Sequence, residues 1–430
     1  MAGQTHPRVG FCGIGAMGGG MAMQLAKQNF IVKGFDIYKP FVDRLVAAGG
    51  KPAASPAEAA ADAEVLVIMV TSHSQVTEVL FEKTTGAINT LPRDAIIIIS
   101  STVPPEYSNE VRGRLDNEYK RSDIHLLDCP VSGGTPRAAA GTLSIFSSGP
   151  EEGLKLPSAH AVLDAMSAKL YKIPGGIGNG SRAKMCHQVS AEVAIGLAPE
   201  VMALAARAGL NTQEVFDAVQ ASDGASWVNG NRIPHMLEGD NGIYSAVANS
   251  HKDTSIIVNE SRIVHFPVFL TAAAETVFQA GIHAGWIKDD DTRLTRLYLP
   301  GYPDHLVHQL TKGENSVVPR NPEITVQDII DIFVGANLAI SAEAMGFTEA
   351  VGLQTDLMYD IISKGAGSNV QFIENVPKMK KPTWSLKDVE GAKDVGQKLA
   401  KALSKANLVG AAMPITAAAM QLFNLHLGSF

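Results

Sequence analysis

The sequence predicts a doubly wound α/β domain followed by two all-helical domains in tandem. Three observations lead to this prediction. The first third of the 430-residue chain alternates short apolar runs with helical stretches. From about residue 180 onward the strand signal fades, and Ala-rich helical periodicity takes over. Beyond a break rich in Pro and Gly, the helical sequence then repeats itself.

Five apolar runs predict the strands of the first domain. They span residues 9–12, 31–35, 65–70, 95–99 and 124–127. Because these runs are apolar on both faces, they suit a parallel sheet covered by helices on each side. Two later runs, at 143–146 and 169–173, are expected to extend the same sheet.

The repeat is visible directly in the helical part of the chain. The 25 residues from Glu200, EVMALAARAGLNTQEVFDAVQASDG, align without gaps on EAMGFTEAVGLQTDLMYDIISKGAG from Glu343. Farther on, LTAAAETVF is echoed by ITAAAMQLF, and Lys252-Asp253 by Lys393-Asp394, with small changes in spacing. Chance likeness between Ala-rich helices is the alternative, but the extent of the match favours a tandem duplication.

Composition and charge exclude several classes of protein. The chain carries 36 Lys and Arg residues against 43 Asp and Glu, a formal net charge of −7 that disfavours nucleic acid and anionic membranes as partners. Purely aliphatic runs fall well short of the roughly 20 residues of a membrane span. The first apolar strand begins almost at once, leaving no room for a signal or transit peptide, so we expect a cytoplasmic protein.

Cysteine and histidine usage predicts neither a disulfide framework nor a metal site. Cys12, Cys129 and Cys186 have no close partner in sequence, which argues against a disulfide framework. The 12 histidines are scattered without the spacing of metal ligands, so no metal site is expected.

A glycine-rich sequence, GIGAMG, follows the first strand directly. Gly13, Gly15 and Gly18 have the GxGxxG spacing, a helical stretch follows, and Asp36 closes the second strand. This context predicts a Rossmann dinucleotide site, in which the turn from Gly13 through Met17 to Gly18 brings a pyrophosphate to a helix N-terminus. Asp36 would bind the adenine-side ribose hydroxyls and repel a 2′-phosphate, which favours NAD over NADP. A solvated strand-end carboxylate is the alternative for Asp36.

Two further motifs carry candidate chemistry. Ser132-Gly133-Gly134 follows the fifth strand, and one hydroxyl with two glycine amides could hold a substrate carboxylate, although SGG is also common in ordinary loops. Lys184 and His187 are three residues apart and so share a helix face. A lysine desolvated beside a cofactor can exchange a proton with a substrate hydroxyl. Most helix lysines are nevertheless solvated, and an isolated histidine is usually structural.

The order of these motifs resembles the β-hydroxyacid dehydrogenase family, which includes 3-hydroxyisobutyrate, tartronate semialdehyde and 6-phosphogluconate dehydrogenases. The motifs are GIGAMG, CPVSGGT, GNGSRAKMCHQ and HKD at 251–253, and the resemblance covers roughly residues 8–298. It implies NAD(P)-dependent oxidation of a 3-hydroxy acid with Lys184 as the catalytic lysine. It also implies Ser132 to Gly134 as the substrate-carboxylate loop and Lys252 in the pocket beside the nicotinamide.

His187 departs from the family pattern, in which most members have Asn. The KxxHQ variant and the stretch AEVAIGLAPEVMALAARAGL resemble the L-threonate dehydrogenase branch. An imidazole can bond an additional hydroxyl, so a polyhydroxylated acid such as L-threonate is favoured as substrate. A second departure is Ile99, where many members have Asp; Thr102 lies either near the nicotinamide or in an ordinary strand-end turn.

Several alternatives stay open at this point. A 3-hydroxyisobutyrate dehydrogenase or a reductase of the tartronate semialdehyde or glyoxylate type would use the same residues. An inactive NAD-binding protein or an imine reductase are rival classes, and the presence of Lys184 counts against both.

The predicted organisation has four parts. Residues 1–176 form the NAD-binding Rossmann domain, 177–305 the first helical domain with the catalytic lysine, 306–322 a linker and 323–430 a second, degenerate helical domain. At the offset of the repeat, Gln327 stands where the first copy has Lys184, so the second copy cannot be a second active site. We expect it to pack against the first as an intrachain pseudo-dimer in a monomeric protein; a homodimer is the alternative.

Overall fold

The computed structural model describes residues 6–239, 242–312 and 318–428. The chain divides into two compact units, Met1–Lys184 and Met185–Phe430. The first is α/β and the second is helical, as the sequence predicts. Residues 313–317 of the predicted linker lie outside the described residues, and the described part of that linker contains two short helical turns with buried Leu306, Val307 and Leu310.

A six-stranded parallel sheet forms the centre of the first unit, in the order β3-β2-β1-β4-β5-β6. Its strands are β1 (Arg8–Cys12), β2 (Ile31–Phe35), β3 (Lys51–Pro52), β4 (Val65–Ile68), β5 (Ile96–Ile99) and β6 (His125–Asp128). The helices of this unit are α1 (Ala16–Lys27), α2 (Lys39–Ala47), α3 (Pro56–Ala60), α4 (His73–Phe81), α5 (Pro105–Asn117), α6 (Gly134–Ala140), α7 (Glu151–Leu154) and α8 (Pro157–Met166), with a 3₁₀ turn at Ala87–Asn89.

The central strands show why the sheet is covered on both faces. Every residue of β4 (VLVI) and β5 (IIII) is buried. Successive side chains of a strand point to opposite faces, so Val67 and Ile98 join one apolar core while Leu66 and Ile97 join the other. Strands this apolar are stable only between two helical layers.

The runs at 143–146 and 169–173 do not extend this sheet. They form β8 (Leu143–Ser147) and β9 (Ser167–Lys172), which with β7 (Val131–Ser132) make a separate three-stranded sheet. An antiparallel bridge between Asp128 and Ser148 joins the end of β6 to this sheet. Pro130 lies between β6 and β7, where its carbonyl oxygen accepts from the Phe146 amide at 3.0 Å but, because proline has no N–H, the return hydrogen bond is missing.

Two sets of helices make up the second unit. The first is α9 (Asn179–Arg207), which begins in the first unit, followed by α10 (Thr212–Gln220), α11 (Trp227–Glu238), α12 (Val247–Ile263) and α13 (Phe269–His283), and then by α14 (Thr295–Tyr298) and α15 (Leu306–Gln309). The second is α16 (Val326–Ala350), α17 (Thr355–Ser363), α18 (Val370–Asn375), α19 (Ala392–Leu408) and α20 (Pro414–Leu427). The 3₁₀ turns are Asp291–Leu294, Leu310–Lys312, Val376–Lys378 and Leu386–Asp388.

The first five helices of the first set, α9 to α13, match α16 to α20 in order. Helices α10 and α17 have nine residues each and α12 and α19 have 17 each. Matching the first residues of α12 and α19 places Gln397-Lys398 opposite Lys252-Asp253. The sequence pairing of Lys252-Asp253 with Lys393-Asp394 is therefore wrong: two additional residues between α18 and α19 move the register, and a two-residue likeness was too short to reveal it.

A pseudo-twofold axis passes between the repeats. Ser226 pairs with Asn369 in an isolated antiparallel bridge, and these two residues occupy equivalent positions, each at the N-cap of its helix. On either side, the amides of Trp227 and Val370 donate across the axis at 2.9 and 3.1 Å. A residue that pairs with its own counterpart is the mark of an isologous interface, here formed within one chain.

Two buried glutamates cross the same interface reciprocally. Glu200 on α9 accepts from Ile415-Thr416 in the first turn of α20, through two amides at 2.9 Å and the threonine hydroxyl at 2.6 Å. Glu343 on α16 accepts from Leu270-Thr271 in the first turn of α13 at 2.8, 2.9 and 2.8 Å. Burial raises the pKa of each carboxyl to about 7, although the hydrogen bonds act in the opposite direction.

Helices α9 and α16 are long and apolar enough to cross a membrane by length and composition alone. Their most apolar windows are nevertheless 100% and 83% buried inside the protein. Burial in the core accounts for their apolar composition.

Candidate functional site

The glycine-rich turn after β1 is shaped for close approach of a ligand. Gly13 has φ +85°, and a Cβ there would lie 2.3 Å from the carbonyl oxygen of Met69. A Cβ on Gly18 would lie 1.9 Å from the Gly13 oxygen, so α1 can approach β1 only without it. Gly15 differs, because a Cβ there would make an ordinary contact with the Phe41 ring at 3.5 Å. Gly15 is the N-cap of α1 and provides no side-chain hydrogen bond, which leaves the helix N-terminus suited to a pyrophosphate.

Asp36 follows β2 and is tied to the same turn. One carboxylate oxygen accepts from the Ile14 amide at 2.9 Å and the other from the Tyr38 amide at 2.9 Å. The carboxylate is therefore fixed beside the turn, and its remaining lone pairs are available to ribose hydroxyls. Lys39, three residues after Asp36, pairs with Asp43 at 2.6 Å.

Further predicted residues follow other strands at the same carboxyl edge. The Ser101 hydroxyl accepts from the Val70 amide at 2.8 Å and so joins the ends of β4 and β5. Thr102 comes next and is half-buried. Open α/β sheets bind ligands at the carboxyl ends of their strands, so this position agrees with either sequence interpretation of Thr102.

Ser132 is the last residue of β7, Gly133 is the N-cap of α6, and Gly134 is the first residue of α6. Ser132 is 8% exposed. Gly133 has φ +138° and Gly134 has φ +72°, conformations that other residues adopt with strain. The backbone of this loop is therefore specified by both glycines, as expected for a loop that presents amides to a ligand.

Asp128 anchors the helix that carries Lys184, a role that sequence reasoning missed. At the end of β6, its carboxylate accepts from the Ser181 amide and the Ser181 hydroxyl, each at 2.7 Å. Ser148 adds a third contact at 3.3 Å and itself accepts from the Gly180 amide at 2.7 Å. Burial raises the pKa of Asp128 to about 6, and the hydrogen bonds limit that rise.

Lys184 lies one turn beyond this anchor and is only 7% exposed. Gly180 permits the arrangement, because a Cβ there would lie 2.5 Å from the Asp128 carbonyl oxygen. The first unit thus brings the glycine-rich turn, Asp36, the Ser132 loop and Lys184 to the carboxyl edge of the sheet and the loops that follow it. The only sequence signal for the anchor was an Asp at the end of an apolar strand.

The remaining predicted residues, His187 and Lys252, belong to the second unit and are linked there by hydrogen bonds. His187 Nδ1 lies 3.1 Å from Gln188 Oε1, and Gln188 Nε2 donates to Asp253 at 2.8 Å. Asp253 in turn pairs with the Lys252 ammonium at 3.1 Å. His187 is fully buried, and the Gly367 amide lies 3.4 Å from its Nε2. These contacts hold the imidazole in place, and the substrate contact suggested by the sequence stays a prediction.

Two negative findings apply to the described residues. Over 6–239, 242–312 and 318–428, no three His, Cys, Asp or Glu side chains are placed to hold a metal ion. Cys12, Cys129 and Cys186 are all buried, and none of the three is in a disulfide.

Comparison with known families matches most of the chain. The model for the NAD binding domain of 6-phosphogluconate dehydrogenase matches residues 8–175. The model for the NAD-binding of NADP-dependent 3-hydroxyisobutyrate dehydrogenase matches two separate stretches, 178–298 and 325–428. The chain belongs to the 3-hydroxyisobutyrate dehydrogenase-like family. As a member of this family it is an NAD(P)-dependent hydroxyacid dehydrogenase.

Individual relatives place this dehydrogenase with the threonate branch. It is 36% identical to L-threonate dehydrogenase of Cupriavidus necator over 297 residues, 68% of this chain and 98% of that protein. It is 33% identical to L-threonate dehydrogenase of Escherichia coli, over 68% of this chain and 96% of that one. The predicted resemblance is confirmed by these matches.

Solved structures agree with the fold. A 3-hydroxyisobutyrate dehydrogenase from Salmonella typhimurium superimposes with a TM-score of 0.63 at 33% identity, covering 68% of this dehydrogenase and 99% of that chain. The Plasmodium falciparum 6-phosphogluconate dehydrogenase covers 98% of this chain and 93% of its own, with a TM-score of 0.68 at 13% identity. At that identity the match concerns the fold alone, and it includes the second helical repeat. The predicted fold class is confirmed.

Proposed function

We propose that this dehydrogenase oxidises a small polyhydroxylated 3-hydroxy acid, such as L-threonate, with NAD⁺. The observation that carries the proposal is the position of Lys184, buried on the first turns of α9 and held there through Asp128 at the end of β6. That strand end is also where the Ser132 loop begins. The L-threonate dehydrogenases, at 32–36% identity, support the substrate class.

Each residue of the first unit has a separate task in this proposal. Ser132 and the amides of the following glycines bind the substrate carboxylate. The glycine-rich turn and the N-terminus of α1 bind the pyrophosphate, and Asp36 binds the adenine-side ribose. NAD, when bound, supplies the acceptor for the hydride that leaves the carbinol carbon.

Lys184 serves as the general acid and base. Its neutral amine accepts the proton of the substrate hydroxyl during oxidation, and its ammonium returns a proton to the carbonyl oxygen in the reverse direction. The Asp128 anchor holds the helix turn that precedes Lys184, so the amine is presented from a fixed backbone. The family resemblance assigns Lys252, which has Asp253 as its counter-ion, to the binding of the acidic substrate and the cofactor.

NAD is the proposed cofactor in preference to NADP. The Asp36 carboxylate is fixed at the end of β2 and would repel a 2′-phosphate. The preference is tested by measuring kcat/KM with NAD⁺ and NADP⁺ in parallel. Equal use of both would refute the role given to Asp36.

The substrate is tested by following NADH formation with L-threonate, D-threonate, 3-hydroxyisobutyrate and glycerate at equal concentrations. We expect a threonate to give the highest kcat/KM. Preference for 3-hydroxyisobutyrate would refute the substrate assignment but leave the mechanism standing. No turnover with any of the four, together with tight NADH binding, would refute the proposal for this substrate class as a whole.

The assembly and location remain predictions of the same proposal. Because the helical unit already contains an isologous interface within one chain, we propose a monomer, with a homodimer as the alternative that sedimentation would reveal. A cytoplasmic location is proposed with it.

A further inference from the structure

A buried chain of polar groups runs through the first helical repeat, from His187 to Lys252. Gln188 stands at its centre, because its amide nitrogen donates both to Glu192 at 2.7 Å and to Asp253 at 2.8 Å. Gln188 and Asp253 are 8% and 9% exposed, and His187 is fully buried. Such a chain fixes the side chains that it connects, since a buried polar group that loses its partner is costly.

The chain determines which nitrogen of His187 carries the proton. The Gln188 NH₂ group faces two carboxylates, so its oxygen must face His187 Nδ1 at 3.1 Å and accept a hydrogen bond from it. His187 is then the neutral Nδ1–H tautomer, and Nε2 keeps a lone pair. The Gly367 amide points at that lone pair from 3.4 Å.

A turn of the second repeat, Gly365–Gly367, thus closes over His187. A Cβ on Gly365 would lie 2.5 Å from His187 Nε2, and a Cβ on Gly367 would lie 3.0 Å from the Ser190 Cβ. Ser190 also donates to the Gly367 carbonyl oxygen at 2.6 Å. The absence of side chains on both glycines allows the turn to rest directly on α9.

The pseudo-twofold axis supplies a natural comparison. Gly224 of the first repeat is the counterpart of Gly367 and rests on α16, where its Cβ would lie 3.0 Å from the Phe333 Cβ. Asn337 donates to the Gly224 carbonyl oxygen at 3.1 Å. At the position of His187 in α9, the helix α16 under Gly224 has Ile330. The Gly224 turn therefore has no imidazole to contact.

We infer that the Gly365–Gly367 turn of the second repeat is a positioning element for the active site. It holds His187, and the hydrogen-bonded side chains of Gln188 and Asp253 carry this effect to Lys252. The inference rests on the proposed function, because it takes Lys252 to act at the reacting groups. The second repeat then has two tasks: it covers the first and it holds the imidazole and the ammonium in place.

The decisive pair of variants is Gly367→Ala and Gly224→Ala in the full chain. Each adds one methyl group to an equivalent turn against the facing long helix, so both are expected to lower Tm by similar amounts. Only Gly367→Ala is expected to lower kcat/KM for the hydroxy acid, by roughly 10- to 100-fold, because a misplacement of about 1 Å has effects of this size. The Kd for NADH should stay unchanged in Gly224→Ala. Equal kinetic losses in the two variants, or none in Gly367→Ala, would overturn the inference.

A second measurement does not depend on activity. In protein labelled with ¹⁵N-histidine, the His187 resonances, assigned by their loss in His187→Asn, should show the Nδ1–H tautomer. Gly365→Ala, whose methyl group would meet the ring, should change those resonances, while Gly224→Ala should leave them as they are. An Nε2–H tautomer in the unmodified protein would overturn the inference even if the substrate assignment holds. Lack of turnover with an intact tautomer pattern would instead count against the proposed function.

Discussion

The reciprocal glutamates make the stability of the helical unit depend on pH in a way that a single substitution can isolate. We choose Glu343→Gln, because glutamine resembles the protonated carboxylic acid in shape. Its oxygen can accept from the Leu270 amide and its NH₂ group can donate to the Thr271 hydroxyl, but the Thr271 amide then faces that NH₂ group and loses its acceptor. Glu200→Gln is the equivalent change on the other side of the pseudo-twofold axis.

The expected magnitude follows from the raised pKa. A glutamate with an ordinary pKa of 4.5 and a folded-state pKa of about 7 keeps its proton in the native state over a range where the unfolded chain has lost it. The native state then binds more protons than the unfolded chain. The stability that this glutamate contributes is therefore fully present below pH 4.5, falls as the pH rises and is lost as the pH passes 7. The slope is about 1.4 kcal/mol per pH unit for each glutamate, or roughly 3 kcal/mol over the range.

Glu343→Gln does not titrate, so the stability that this position contributes should not fall between pH 5 and pH 8. The variant should be about 1 kcal/mol less stable than the unmodified protein near pH 5, because the Thr271 amide loses its acceptor. At pH 8 it should be more stable by about 2 kcal/mol, which corresponds to roughly 4–8 °C in Tm for a unit of this size. The assay is urea unfolding, followed by circular dichroism at pH 5, 6, 7 and 8, with exposed Glu374→Gln as the control. A Glu343→Gln variant that is destabilised at pH 8 would refute the reasoning, since the helix N-terminus and its three hydrogen bonds would then favour the ionised carboxylate.

The remaining predictions concern the site and the second repeat. Lys184→Ala should lower kcat by at least about 100-fold without changing the Kd for NADH; near-normal kcat in steady-state assays would exclude it as the acid and base. Asp128→Asn should lower kcat more than it changes KM and should lower the unfolding free energy by about 1–3 kcal/mol, which kinetics and urea unfolding measure together. Asp36→Ala should weaken NAD⁺ binding about tenfold and narrow the preference over NADP⁺, as titration of both cofactors would show. A fragment of residues 1–305 should aggregate or dimerise, because removing the second repeat exposes its apolar partner surface; a monomeric, active fragment in sedimentation and activity assays would contradict this.

Sequence reasoning predicted most of the sheet, because burial on both faces leaves an unbroken apolar run. It missed β3, whose two residues, Lys51 and Pro52, lie at an exposed edge and carry no hydrophobic pattern. It also assigned β8 and β9 to the main sheet, since hydrophobicity predicts that a strand exists but not which strand it pairs with. Pro130, whose missing N–H removes one hydrogen bond at the junction of β6 and β7, is a local signal that could have been used.

The residues of the candidate site also divide into those that the sequence could predict and those that it could not. The glycine-rich turn and the Ser132 loop could be predicted because close backbone approach requires glycine at fixed spacings. Asp128 could not, since its role depends on contacts with Ser181, 53 residues away. His187 was assigned to the substrate from its residue type and from the resemblance of the KxxHQ motif, whereas its burial and its neighbour Gly367, 180 residues distant, became visible only in the fold.

The duplication separates the residues that hold this protein together from those proposed to act on a substrate. Positions on the pseudo-twofold interface keep the same chemistry in both copies: Glu200 matches Glu343, and each meets a threonine of the other repeat. Positions assigned to the reaction differ, because Lys184 faces Gln327 in the alignment and Lys252 faces Gln397. An isologous contact needs both halves, whereas one active site needs only one copy of its residues. Each half of the helical unit therefore acts as a reference for the other, and a pair of equivalent substitutions can assign a residue to folding or to catalysis.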